Sequence, residues 1–109
     1  MTESDEKFEA ESLKDSLNRE TATVDWQELV RHFARGVLIK VDASLDLIDV
    51  AYHMAVDDAD ALKQMLDEGT VMRVSDDDAR SWNQRSPRFW CVVSAPWVLV
   101  QEQAGTSLH

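Results

Sequence analysis

Two apolar segments near the C-terminus constrain the fold of this chain more than any other feature. Phe89 to Val93 and Trp97 to Val100 are each apolar on both alternating faces, as in strands that are covered on two sides. Only Ser94, Ala95 and Pro96 separate them, and so short a spacer favours a β-hairpin. Within 109 residues, either helices of the same domain or a second copy of the chain must cover both faces of this hairpin.

The remaining periodic segments predict helices and two more strands. Asp25 followed by Glu28 has capping-box spacing, Gly36 and Gly69 are placed to end helices, and Ser75 precedes three aspartates. The predicted helices are residues 6–20, a helix that starts after Asp25, Leu45 to Val56, Asp58 to Glu68, and a helix that starts after Ser75. The predicted strands are Val37 to Val41 and an edge strand at Val71 to Val74.

The order α-α-β-α-α-β-α-β-β predicts a single small α+β domain. We expect a mixed sheet of about four short strands, which ends in the C-terminal hairpin and is packed by helices. Residues 1–20 are expected to form an acidic helical arm that packs on the domain or on a partner, or frays. Residues 21–102 are expected to form the domain, and residues 103–109 a flexible tail.

The charge of the chain disfavours two classes of partner. There are 21 acidic and 11 basic residues, which gives a formal net charge of −10. Nucleic acid and anionic membranes both need a basic face, so nucleic acid is disfavoured and no membrane partner is expected. The acidic start of the chain lacks a secretory pattern, and Cys91 has no second cysteine with which to form a disulfide. A cytoplasmic location is the simple expectation.

Several short motifs occur between about Thr21 and Glu102. They are Trp26-Gln27-Glu28-Leu29, Phe33-Ala34-Arg35-Gly36-Val37, Val41-Asp42, Leu45-Asp46-Leu47, Asp57-Asp58, Phe89-Trp90 and Ala95-Pro96-Trp97-Val98-Leu99-Val100-Gln101-Glu102. Together they resemble a bacterial family catalogued as domain of unknown function 2288. The resemblance implies a cytoplasmic single-domain protein with no assigned activity and no catalytic residues to carry over.

Two clusters are candidate ligand sites. Asp49, His53 and Asp57 are spaced i, i+4, i+8 on a predicted helix, where they could hold a metal or form an acid–base site; a solvated stripe is the simpler interpretation. The segment 73–88 is locally basic and could bind an anion or a partner, the alternative being scattered solvated charges. Its candidate residues are Arg73, Arg80, Arg85, Arg88 and Trp82.

Trp90 and Trp97 flank the predicted hairpin turn and are candidate interface residues, although aromatic residues in strands more often belong to the core. No cofactor is predicted. The favoured hypothesis is a non-catalytic, self-associating module, a homodimer or other homo-oligomer, that binds an unidentified protein partner. The alternative is a small-molecule or metal-binding domain, which could be an enzyme, that uses either cluster. An acidic decoy of nucleic acid is a third class.

Overall fold

A computed structural model, which describes residues 12–103, shows a five-stranded mixed sheet with helices on both faces. The strand order is β1-β4-β5-β2-β3, in which β2 and β5 are parallel and the other neighbours are antiparallel. The elements are α1 (residues 12–20), β1 (Ala22–Asp25), α2 (Trp26–Ala34), β2 (Leu38–Val41), α3 (Leu47–Ala55), α4 (Ala59–Glu68), β3 (Val71–Arg73), α5 (Asp76–Arg85), β4 (Arg88–Ser94) and β5 (Trp97–Glu102).

Alternation along the strands divides the core into two clusters. On one face, which we call the α1 face, Val92 and Leu99 pack with Leu17 of α1 and with residues of α3. On the other, the α2 face, Phe89 and Val100 pack with residues of α2 and α5. The hairpin β4–β5 is therefore covered on both sides by helices of its own chain, which is the first of the two predicted possibilities.

The local signals at the helix ends are confirmed. The Asp25 carboxylate accepts a hydrogen bond from the Glu28 N–H while Glu28 accepts one from the Asp25 N–H, and Ser75 caps α5 through a second capping box with Asp78. Gly69 ends α4 in the left-handed region at φ 74°. None of the described helices is long and apolar enough to cross a membrane.

The α+β class is confirmed, but the sheet has one strand more than the sequence predicted. Strand β1 pairs with β4 over its four residues, from Ala22 opposite Cys91 to Asp25 opposite Arg88. The strand is mostly exposed, so it lacks the apolar alternation that identifies a half-buried strand. Its pairing with β4, which lies far away in the chain, defines it.

The described part of the N-terminal arm packs on the domain. Leu17 of α1 is only 6% exposed, and Lys14 forms an ion pair with Asp49 of α3 at 2.7 Å and lies over the Tyr52 ring. Residues 1–11 of the predicted arm and residues 104–109 of the predicted tail lie outside the described residues. Gln103 donates a backbone hydrogen bond to the Arg88 carbonyl.

We predict that Leu17→Ala destabilises the protein by about 2–4 kcal/mol, because it leaves a cavity in the core of the α1 face. The matched control is Leu66→Ala on α4, whose side chain is 55% exposed and which should cost less than about 1 kcal/mol. Urea unfolding followed by circular dichroism measures both. Equal, small effects of the two substitutions would contradict the packing of α1 as part of the core.

Candidate functional site

A groove on the α2 face lies between α5 and the sheet. One face of α5 lines it with Asp78, Ser81, Trp82 and Arg85, which follow each other at helical spacing. We call it the α5 groove; its volume is about 350 Å³, near the lower end of the range for small-molecule sites. Its other lining residues are Lys40, Val41, Asp42, Ala43, Gly69, Thr70, Met72, Phe89, Val100 and Glu102.

An ion pair connects β2 to the first turn of α5 beside this groove. The Lys40 ammonium lies 2.8 Å from the Asp78 carboxylate, and both side chains are partly buried. Burial alone would raise the pKa of Asp78, but hydrogen bonds from Lys40 and from Ser75 lower this pKa below its ordinary value. Asp78 therefore stays ionised and holds α5 against β2.

A second ion pair connects the last turn of α5 to the end of β5. Arg85 Nη2 lies 2.9 Å from the Glu102 carboxylate, and Arg85 Nε donates a hydrogen bond to Ser81 Oγ at 3.0 Å. Arg85 Nη1 takes part in neither contact. The two contacts hold the guanidinium at the groove wall and leave Nη1 with hydrogen-bonding capacity for an anion.

The floor of the groove is apolar and its rim carries charges of both signs. Phe89 and Val100 are fully buried beneath it. Asp42 at the rim has a pKa held below its ordinary value by hydrogen bonds from the Ser44 hydroxyl and N–H. The arrangement can bind a small molecule by apolar contact and orient it through its charged groups.

The structure does not bring the predicted basic cluster together. Arg73 on β3 lies on the α1 face over the Trp97 ring, with its guanidinium carbon 5.2 Å from the ring centroid. Arg80 is exposed beside Asp77, and Arg88 begins β4 on the α1 face next to Asp25 of β1. Trp82 and Arg85 line the α5 groove. Within the segment 73–88, the two strand residues Arg73 and Arg88 lie on the α1 face of the sheet, whereas α5 packs on the α2 face. Residues that are close in the sequence are therefore divided between the two faces of the sheet.

The structure also does not bring together the three candidate metal ligands Asp49, His53 and Asp57. Helix α3 ends at Ala55, so Asp57 lies beyond the helix, in a turn at φ 56°, and the i, i+8 spacing does not apply. Asp49 pairs with Lys14, and His53 Nδ1 lies 3.1 Å from the carboxylate of Asp58 rather than from Asp49 or Asp57. Within residues 12–103, no three His, Cys, Asp or Glu side chains are grouped so that they could hold a metal ion.

The two candidate interface tryptophans have different surroundings. Trp97 is partly buried against the core of the α1 face. Trp90 is 45% exposed and lies on the α1 face of β4, between Thr23 of β1 and Gln101 of β5. It borders a pocket of about 300 Å³ between the end of α1 and the start of α3, which Asn18, Thr21, Asp46, Leu47, Ile48 and Gln101 complete.

Sequence reasoning missed three residues that shape the α5 groove: Lys40, Asp78 and Glu102. A signal for one wall was present, because Asp78, Ser81 and Arg85 recur at i, i+3 and i+7 and so share a face of α5. The ion-pair partners on β2 and β5 could not be identified in this way. Lys40 and Glu102 are far from α5 in the sequence, and only the order of the strands in the sheet brings them next to this helix.

We predict that Cys91 is unreactive in the folded protein. Burial, with a smaller contribution from the charge of Glu28, raises the pKa of the Cys91 thiol from 9.0 to about 11. At pH 8 the folded chain should therefore contain about a hundredfold less thiolate than the unfolded chain, and iodoacetamide should alkylate it correspondingly more slowly. Mass spectrometry with and without urea measures the two rates. Similar rates would contradict this burial.

We predict that the Lys40–Asp78 pair contributes up to about 1 kcal/mol at neutral pH, the upper range for a partly exposed pair. Because the folded pKa of Asp78 is lowered, the contribution is complete above the ordinary carboxyl value of 3.8 and is lost as the pH falls through the folded pKa. A double-mutant cycle of Lys40→Gln and Asp78→Asn at neutral and acidic pH measures it, and the cycle cancels the separate capping role of Asp78. A coupling that does not weaken as the pH falls below 3.8 would contradict the assignment.

Comparison with known proteins places this fold in a family. The chain is similar to PA1075 from Pseudomonas aeruginosa, whose structure was solved in solution by NMR. The identity is 44%, the match covers 85% of this chain and 86% of PA1075, and the TM-score is 0.76. No curated protein matches the chain significantly. The sequence model described as a protein of unknown function (DUF2288) matches residues 12–102, a range that includes α1. The chain belongs to the DUF2288 family.

Proposed function

We propose that this protein is a non-catalytic, self-associating interaction module whose contact surface contains Trp90 and the outer edge of β1. The observation that carries the proposal is that Trp90 is 45% exposed on β4, one strand away from the sheet edge. We call Ala22–Asp25 together with Trp90 the β1 surface. Tryptophan is enriched among the residues that dominate binding energy at protein interfaces.

The edge position of β1 supports this proposal. Strand β1 pairs with β4 on one side, and among the described strands none pairs with its other side. Edge strands present unpaired N–H and C=O groups that a strand of another chain can satisfy. Pairing of β1 with β1 of a second copy, about a two-fold axis perpendicular to the sheet, would join two sheets edge to edge. Both copies of Trp90 would then lie on the same face of the joined sheet.

The distribution of charge is compatible with self-association at this edge. The chain has a net charge of −10, so two copies repel each other overall. However, residues 43–69 carry seven acidic groups and one basic group, which account for −6 of this charge. At the β1 edge, Asp25 lies opposite Arg88 in the strand register, so one charge of each sign lies there. Repulsion between distant exposed charges is screened at physiological salt.

We predict that the wild-type chain sediments as a concentration-dependent dimer at micromolar concentrations and that Trp90→Ala shifts it to monomer. The substitution removes apolar area from the contact without emptying a buried site, so circular dichroism should show little loss of structure. Leu66→Ala, which removes another large exposed side chain on α4, is the matched control and should leave the dimer intact.

Analytical ultracentrifugation with varied loading concentration measures this equilibrium. A wild-type monomer up to about 100 μM, a concentration at which even weak specific dimers form, would overturn the proposal of self-association. A dimer that Trp90→Ala leaves unchanged would remove the β1 surface from the interface.

A further inference from the structure

We propose that the α5 groove binds a short linear zwitterion, of the chemical class of a peptide about three residues long with free termini. The groove lies on the α2 face, whereas Trp90 lies on the α1 face, so this inference does not depend on the proposed self-association. It rests on two properties of the groove: the sign of its charges and their spacing.

The charges indicate a ligand that carries both signs. Two cationic side chains and three carboxylates line the groove, those of Lys40, Arg85, Asp42, Asp78 and Glu102. A ligand with only negative charge would face three carboxylates, and a purely cationic ligand would face two cations. A molecule with an ammonium group at one end and a carboxylate at the other can place each charge next to a group of opposite sign.

The spacing along α5 sets the length of the ligand. Asp78 and Arg85 are seven residues apart on one helix face, which corresponds to about 10.5 Å along the helix axis. An extended peptide advances about 3.3–3.6 Å per residue, so about three residues span this distance. A single amino acid, whose two charged groups are separated by only a few covalent bonds, cannot reach both ends.

The side chains of the groove can bind such a ligand without a change in the fold. Arg85 Nη1 takes part in neither the Glu102 ion pair nor the Ser81 hydrogen bond and can donate to the ligand carboxylate. At the other end, Asp42 accepts both Ser44 hydrogen bonds through Oδ2, and Oδ1 takes part in neither, so Oδ1 can accept a hydrogen bond from an ammonium group. Asp78 is paired with Lys40 and can accept from the ammonium group when that ion pair rearranges. Phe89 and Val100 provide an apolar floor for small side chains. Exposed or partly exposed ion pairs of this kind are weak and can rearrange around a ligand.

The test is an NMR titration of the full-length ¹⁵N-labelled chain with tri-alanine, in which the Ser81 amide and the Trp82 indole N–H are followed. We expect saturable shifts at both groups. Acetylation of the amino end or amidation of the carboxyl end should weaken binding about tenfold each, because each removes one charge-assisted hydrogen bond. Glycine should bind more weakly than tri-alanine. Equal binding of the blocked peptides would overturn the zwitterion assignment, and equal binding of glycine would overturn the length argument.

Two substitutions at the same ion pair separate ligand binding from a structural role. Arg85→Gln removes the group that receives the ligand carboxylate and should weaken tri-alanine binding about tenfold. Glu102→Gln breaks the same ion pair but frees Arg85 and removes a repulsive carboxylate, so it should strengthen binding. Arg80→Gln, on the exposed side of α5, is the matched control and should have no effect. Absence of saturable shifts with tri-alanine, or effects of the same sign for Arg85→Gln and Glu102→Gln, would overturn the proposal.

Discussion

The burial of β5 from both sides is the constraint on which the rest of this structure depends. Leu99 and Val100 are adjacent in the chain, point to opposite faces and are both 0% exposed. Because β4 and β2 pair with the two edges of β5, only elements above and below the sheet can cover these side chains. A single amphipathic helix has one apolar stripe, so helices are needed on each face. The division into an α1 face and an α2 face follows from this requirement.

The candidate sites occur where this cover is incomplete. Helix α5 has Trp82 as its one buried residue, so it covers only part of the sheet and leaves the α5 groove beside it. On the opposite face, the pocket between α1 and α3 leaves Trp90 half exposed next to the edge strand β1. Both sites therefore form because the short helices of a small domain leave parts of the sheet uncovered. This explains why their polar groups come from several elements at once.

Much of the local structure could be predicted because its causes lie within a few residues. A cap such as Asp25 or Ser75 acts on an N–H three residues later, and Gly69 ends a helix through its own backbone conformation. The hairpin was predicted from its own apolar strands and short turn. Even here, one local feature was missed: after α3 ends at Ala55 the chain turns at Asp57, at φ 56°, which removes Asp57 from the stripe that suggested a metal site.

By itself, the sequence determined the α+β class, most of the helices and strands, and the need to cover the hairpin on both faces, since these follow from periodicity and from short-range hydrogen bonds. Only the tertiary structure decided that β1 is a strand and that helices of the same chain, rather than a second copy, cover the hairpin. It also decided that Lys40 and Glu102 form ion pairs with residues of α5. These features depend on pairing between segments far apart in the chain. Strand order and register set such contacts, and no local pattern records them.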